Sequence, residues 1–352
     1  MQEVLNKLDE EDYEKRAELL ALPVDEYNED IFLEALDEAY QMSREGSFAY
    51  DSRCESENAP DKITKFADIY EIPLVDMAEF KDKSQSDALR TRENDYGYVY
   101  TSGTSKGTSG RVPISELGME LRKINSKEIV KNRYPYADIM AVMAPEEKSL
   151  VTAPDQISRR YIFKIVSCVF DQLGAEYFVG FENGDLKMYR NKLIKHLKED
   201  AEGIFATPDK VVAIMNFINE NDISISLGKN GFVSTAGGWK GTEGIGIEKF
   251  RQFASNVFKI KQENHIDLYG ATELTGAFVN CFGDENPDLK RASSSNLVFV
   301  VDQDDFIKNG EINYSIEGEG LMAFIDPLNI DIPGFILTDD VVKMTFPRVV
   351  GQ

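Results

Sequence analysis

The chain has 352 residues, of which 62 are acidic and 39 basic, for a formal charge of −23 that repels nucleic acid and anionic membranes over most of the surface. Its length exceeds what one hydrophobic core serves, so two or three lobes are expected, and no apolar run is long enough to span a bilayer. The acidic N-terminus MQEVLNKLDEEDYEKR does not read as a signal peptide, and three scattered cysteines with two histidines exclude a disulfide framework or a zinc site; a cytoplasmic protein with any metal on oxygen ligands is expected.

Residues 1–45 carry helical periodicity, with Leu19, Leu20, Ile31, Phe32, Leu36 and Ala39 spaced as a buried stripe. The polar segment 51–62, with Pro60, reads as a loop that leaves Cys54 exposed. Residues 66–80 read as a short helix, a Pro-interrupted turn and another helix start. The aromatic run YGYVY at 96–100 predicts a strand, and behind it comes YTSGTSKGTSGRVP, a stretch of small hydroxyl residues and glycines of little use in a packed core. Gly103, Gly107 and Gly110 let amide N–H groups approach an anion. Thr101, Ser102, Thr104 and Ser105 add hydroxyl donors, and Lys106 and Arg111 add positive charge. The loop therefore suits a phosphate at the carboxyl end of a strand of an α/β sheet, although a plain flexible connection has the same composition. It lacks the spacing of a Walker A loop.

Residues 115–132 predict a helix. From 150 onward strands at 150–152, 175–179, 203–206 and 231–235 alternate with helices at 158–173, 185–201, 209–221 and 247–259, the pattern of a largely parallel sheet covered by helices. Cys168 falls in the apolar helix of that series. STAGGWKG follows the strand at 231–235, and its adjacent Gly237 and Gly238 beside Trp239 suit close approach of backbone to a flat ligand or an ordinary strand-to-helix turn. YGATE follows the apolar run 266–268. Gly270 permits a tight turn there, and Thr272 with Glu273 suits either a phosphate with its Mg²⁺ or a helix start with Thr272 as cap. Cys281, in FVNCF eight residues beyond Glu273, reads either as a small buried apolar residue or as a reactive thiol close in sequence to the YGATE motif. The C-terminal runs NLVFVVD, EINYSIEGEGLMAFID and FILTDDVVKMTF predict a small β-lobe, with Asp340 placed to bind ribose hydroxyls or simply water.

YTSGTSKGTSGR, STAGGWKG, YGATE and LTDD, in that order, resemble the core motifs of the adenylate-forming superfamily. Within it the chain looks most like the LuxE-type acyl-protein synthetases, near the phenylacetate-CoA ligases, through IPLVDMAEF, IFATP, GGWK and EGEGLMAFIDPLN…PGFILTDDV. The resemblance covers most of residues 65–345. It implies an α/β adenylate-forming fold with mostly parallel sheets, divided as a helical section 1–90, an adenylating core 91–290 and a β-rich subdomain 291–352, with the superfamily's mobile C-terminal lid absent or vestigial.

The implied activity is ATP- and Mg²⁺-dependent activation of a fatty or aromatic acid, followed by acyl transfer to a thiol of a partner protein or carrier, such as an acyl reductase. As rivals to this leading reading, the resemblance allows a CoA ligase, against which the missing lid weighs, or a nucleotide-binding scaffold without turnover. Carried over by position, it implies that Ser102, Gly103, Thr104, Ser105 and Lys106 embrace the ATP phosphates, with Lys106 catalytic. Ala236, Gly237, Gly238 and Trp239 border adenine and the acid. Tyr269 and Gly270 meet adenine, Thr272 touches the α-phosphate and Glu273 holds Mg²⁺. Asp340 binds ribose, with Lys343 where relatives often carry Arg. Asp339 stands where relatives commonly have Gly.

Overall fold

The protein is described by a computed structural model over residues 2–10, 13–93, 95–100, 110–137, 139–142, 165, 176–179, 190–199, 201–239, 242, 244–303, 306 and 313–345. Its helices are α1 (Gln2–Glu10), α2 (Glu14–Ala21), α3 (Glu29–Gly46), α4 (Phe48–Ser56), α5 (Lys83–Ala88), α6 (Glu116–Arg133), α7 (Arg190–Glu199), α8 (Pro208–Glu220) and α9 (Ile247–Phe258). Its strands are β1 (Val75–Asp76), β2 (Gly97–Tyr100), β3 (Arg111–Ile114), β4 (Ile139–Val142), β5 (Glu176–Val179), β6 (Gly203–Ala206), β7 (Phe232–Ala236), β8 (His265–Tyr269), β9 (Phe278–Val279), β10 (Leu297–Val301), β11 (Tyr314–Ser315), β12 (Gly318–Ile325) and β13 (Phe335–Met344). They fall into two compact units, one made of 1–125, 271–275 and 292–352, the other of 126–270 and 276–291. No helix among the described residues is long and apolar enough to cross a membrane.

In the first unit the helical front section forms because caps and apolar stripes coincide. Asn28 accepts from the Ile31 N–H at 3.1 Å to start α3, which buries Phe32, Leu36, Ala39 and Tyr40. Ser47 does the same for α4 through the Tyr50 N–H at 3.2 Å. The segment 51–62 is therefore not all loop: α4 runs to Ser56, held by Tyr50 and Cys54 four residues apart on its buried face. Cys54 is correspondingly buried, not exposed, and burial pushes its thiol pKa up. The Tyr50 ring stacks on Phe335 with centroids 6.0 Å apart, so this helix packs on a five-stranded sheet of order β1-β13-β12-β10-β11. Burial of each such large apolar side chain contributes about 1.5–3 kcal/mol.

The β12/β13 ladder contains one irregularity. Leu321 faces Val341 and Ala323 faces Leu337, so Thr338, Asp339 and Asp340 all lie opposite Met322, and the strand bulges at the TDD motif. The Thr338 hydroxyl fixes the bulge by donating to the Met322 carbonyl at 2.9 Å, while it accepts from the Asp340 N–H at 3.2 Å.

The second unit carries the expected parallel sheet. Its six strands run β5-β4-β6-β7-β8-β9, parallel except for the last pair. Val211, Ile214, Met215 and Ile218 of α8 recur at helical spacing and meet Ile204, Val233 and the Phe250–Phe258 face of α9 in one apolar core. The strand expected at 150–152 and the helix at 158–173, with Cys168, lie outside the described residues. β4 is an addition to the expected series.

Candidate active site

The glycine-rich loop's Ser102, Gly103, Thr104, Ser105 and Lys106 lie outside the described residues. Its two flanks are described. Tyr100 pairs with Arg111 in an antiparallel ribbon of β2 and β3, so the loop connects a hairpin and does not leave the carboxyl end of a parallel sheet. Arg111 is also not a spare cation: its guanidinium pairs with Asp87, donates to the Lys83 carbonyl at 3.0 Å and lies 4.2 Å from the Tyr98 ring centroid.

In the second unit, neighbouring parallel strands bring three motifs to one edge. Ala206 pairs with Thr235 and Ala236 pairs with Leu268, so IFATP, STAGG and YGATE all leave the sheet at the carboxyl ends of β6, β7 and β8. Gly237 turns there with φ +96°, which a side chain would strain, and a Cβ on it would meet only the Thr207 methyl, at 3.7 Å. Gly237 and Gly238 are exposed and Ala236 is half-buried, leaving backbone open to a flat ligand. Trp239 is half-buried, and its indole packs edge-on against Phe250 at 5.1 Å and His265 at 6.0 Å. Tyr269 stacks on Phe278 with centroids 5.8 Å apart and planes 5° from parallel, so the ring is held flat by one of its faces. Gly270 beyond it is exposed.

Beneath these strand ends runs a buried polar chain. Arg251 Nε donates to His265 Nδ1 at 3.2 Å, so the imidazole carries its proton on Nε2 and gives it to Thr235 Oγ1 at 2.8 Å. Thr235 in turn donates to Asp267 at 2.6 Å, and Asp267 pairs with Lys290 at 2.6 Å. Burial, with Arg251 and Lys290 nearby, pushes the His265 pKa down from 6.5 to about 3. An unfolded chain binds a proton below pH 6.5 that the folded chain refuses, so this group costs stability as pH falls, at up to about 1.4 kcal/mol per unit. Urea denaturation at pH 7 and pH 5 is therefore expected to show His265→Gln losing about 2 kcal/mol less than the parent chain. Equal acid losses in the two proteins would show that His265 does not titrate this way.

In the first unit, 271–275 forms a turn with no helix after it, which removes the helix-start reading of Thr272 and Glu273. Glu273 is 1% exposed, and among the described residues its Oε1 is the one buried side-chain oxygen with no hydrogen-bond partner. Burial raises its pKa from 4.5 to about 7; its own backbone N–H and then Arg122 oppose the shift, and Asp339 and Asp340 add to it. Three buried anchors hold the turn's backbone. Asn329 Nδ2 donates to the Glu273 carbonyl at 2.6 Å, and Asp326 accepts from the Thr275 N–H at 2.7 Å and from its hydroxyl at 2.6 Å. Arg122 Nη2 reaches the carbonyl of the half-buried Thr272 at 3.5 Å while its Nη1 pairs with Asp331 at 2.9 Å.

Asp331 also accepts from the Ser115 N–H at 3.0 Å and its hydroxyl at 2.5 Å. A Cβ on Gly118 would lie 2.0 Å from Asp331 Oδ2, so only glycine fits there. Asp340 is exposed on the bulge, Asp339 pairs with Lys81 at 3.6 Å, and Lys343 is exposed opposite Glu319.

Among the described residues no group of three or more acidic, His or Cys side chains gathers to hold a metal by itself, but an orphaned, buried carboxylate oxygen is a donor a hard divalent cation takes, and Mg²⁺ binds through one or two carboxylates with phosphate and water oxygens. The residues present therefore fit Mg²⁺ at Glu273. Sequence reading missed Arg122, Asp326, Asn329 and Asp331. The available signal was IDPLNIDIPG, where Asn329 and Asp331 interrupt an apolar run between two prolines and Asp326 precedes the first of them. Cys281 departs from its expected burial: it is half-exposed, and Arg133 Nη1 donates to its sulfur at 3.2 Å.

The family model of the acyl-protein synthetase LuxE matches residues 8–351. A curated relative, the long-chain-fatty-acid–luciferin-component ligase of Aliivibrio fischeri, is 23% identical over 318 residues, covering 86% of this chain and 76% of its own. Among solved structures, a 2-hydroxyisobutyryl-CoA ligase in an open conformation with 2-HIB-AMP and CoA superimposes with a TM-score of 0.63 at 12% identity over 90% of this chain. The same ligase in its thioesterification state gives 0.63 at 13% identity, again over 90%. The chain spans 65% of the first of these structures and 63% of the second, and the likeness establishes an adenylate-forming ligase fold.

Proposed function

The chain belongs to the LuxE acyl-protein synthetase family, and from that membership we propose that it activates a carboxylic acid with ATP and passes the acyl group to a thiol of a partner protein or carrier. The acid is a fatty acid, in keeping with the long-chain-fatty-acid ligase named for the curated relative. A carboxylate oxygen attacks the α-phosphorus, the bond to the β-phosphate oxygen breaks, and pyrophosphate leaves. A thiolate then attacks the acyl carbonyl, and AMP leaves with the former carboxylate oxygen. Because ATP is abundant in the cytoplasm, the reaction belongs there.

In this reading Ser102, Gly103, Thr104, Ser105 and Lys106 cradle the phosphates from the β2–β3 loop. Ala236, Gly237 and Gly238 offer open backbone to adenine and the acid, and Trp239 supports them from the apolar core. Tyr269, held flat by Phe278, stacks on adenine, with Gly270 giving room for the turn beyond it. Thr272 donates its hydroxyl to the α-phosphate. Asp340, presented by the bulge, accepts from the ribose hydroxyls, and Lys343 lies farther along the same strand. Glu273 would hold Mg²⁺ through Oε1, where the ion draws negative charge from the phosphate oxygens.

Displacement at phosphorus asks for positioning and charge neutralisation more than for covalent help, and this set of donors supplies both. The observation that supports the reading most directly is the unpartnered, buried Glu273 oxygen inside the YGATE turn. Exchange of labelled pyrophosphate into ATP, run over a panel of fatty and aromatic acids, tests it. Acid-dependent exchange with a fatty acid is expected, and silence with every acid would remove the proposal.

A further inference from the structure

The segment joining β12 to β13 is buried although it is polar. Asp326, Asn329 and Asp331 are 0%, 1% and 1% exposed, and each is committed to the turn that carries Thr272 and Glu273 or to the arginine beside it. The contacts fall at successive points of that turn: Arg122 at the Thr272 carbonyl, Asn329 at the Glu273 carbonyl, Asp326 at the Thr275 amide and hydroxyl. They are cross-linked, because Asp331 takes the Arg122 guanidinium and its own N–H donates to Asn329 Oδ1 at 3.2 Å. The Asn329 N–H in turn donates to the Asp326 carbonyl at 3.1 Å. Gly118 leaves the space that the Asp331 carboxylate fills.

A network that served folding alone would satisfy its buried acceptors, since nearly all buried polar groups in native proteins are paired. This one engages the turn's backbone at three residues and leaves Glu273 Oε1 unengaged. The same segment runs directly into β13, whose bulge presents Asp340, so one stretch of chain sets both the carboxylate turn and the strand that follows it. A buried, cross-linked frame of this kind fixes a ligand's direction in the way that outer partners orient metal ligands, where their loss lowers affinity or activity about 10- to 100-fold.

We infer that Asn329, Asp326 and the Arg122–Asp331 pair are positioning residues that aim the Glu273 carboxylate at a divalent cation carried by ATP. The inference rests on the adenylation reading for its ligand, but its test does not depend on turnover. Asn329→Leu removes the donor to the Glu273 carbonyl at similar volume. Arg122→Lys keeps the charge beside Asp331 while removing the second arm to Thr272, and it decides the matter where Asn329→Leu does not fold. Binding of Mn²⁺ in the presence of ATP is read by electron paramagnetic resonance, beside exchange kinetics and thermal unfolding.

Each folded variant is expected to bind Mn²⁺ about 10-fold more weakly and to lose about 10-fold in kcat, with the KM for the acid unchanged. Wild-type Mn²⁺ affinity and kcat in a folded variant, whatever its Tm, would overturn the positioning role. If the parent chain shows no exchange with any acid and the variants still lose Mn²⁺ affinity, the frame stands and the adenylation reading falls. If the parent exchanges and the variants match it, the reverse holds.

Discussion

Replacing Glu273 by glutamine is expected to lower acid-dependent pyrophosphate exchange about 10²- to 10³-fold, the scale seen when one preorganised electrostatic contact to a transition state is lost. The size follows from where the carboxylate sits. At 1% exposure, with Oε1 unpartnered and its pKa pushed up to about 7 by burial, it is an electrostatic liability to the fold itself. Glutamine keeps the volume and relieves that liability, so the Tm should hold or rise while the charge that complements the cation disappears. A fall in exchange together with an undiminished Tm separates a functional carboxylate from a structural one. Exchange near the parent level would take Glu273 out of the site.

Lys106→Ala should cost about 10²-fold in exchange, and more in kcat than in the KM for ATP, because negative charge on the departing pyrophosphate grows toward the transition state. Lys106 is the single basic residue between 101 and 110. The other cation of the motif, Arg111, is neutralised by Asp87 at the root of the hairpin, so the loop's positive charge falls to the lysine. Steady-state exchange at varied ATP measures both constants. A variant that loses only affinity for ATP, with kcat intact, would reduce Lys106 to a binding contact.

The parallel sheet was legible in the chain because β6, β7 and β8 are short apolar runs punctuated by glycine-bearing turns and separated by helices of regular period. Three motifs could be placed at strand ends for the same reason. α4 was hidden because its outward face, Asp51, Ser52 and Glu55, is as polar as a loop, and its inward pair Tyr50 and Cys54 reads as helical only once they have a sheet to pack on. β4 was hidden because IMAV, four apolar residues, suits a strand and a helix equally. The frame around Glu273 could not be read locally at all. Asn329 meets Glu273 across 56 residues, and Asp331 meets Arg122 across 209, so nothing in either neighbourhood signals the partner. The bulge at Thr338–Asp340 depends likewise on the register of β12 against β13, which the alternation of a single strand does not contain.

In the proposed reaction a carboxylate oxygen of the acid becomes bonded to the α-phosphorus of ATP. Turnover of the best exchange substrate, labelled with ¹⁸O in its carboxylate and trapped with hydroxylamine, reads that bond directly by mass spectrometry of the nucleotide. AMP carrying one ¹⁸O, together with the hydroxamate, is the predicted result. Unlabelled AMP, or label recovered in inorganic phosphate beside ADP, would contradict acyl-adenylate formation.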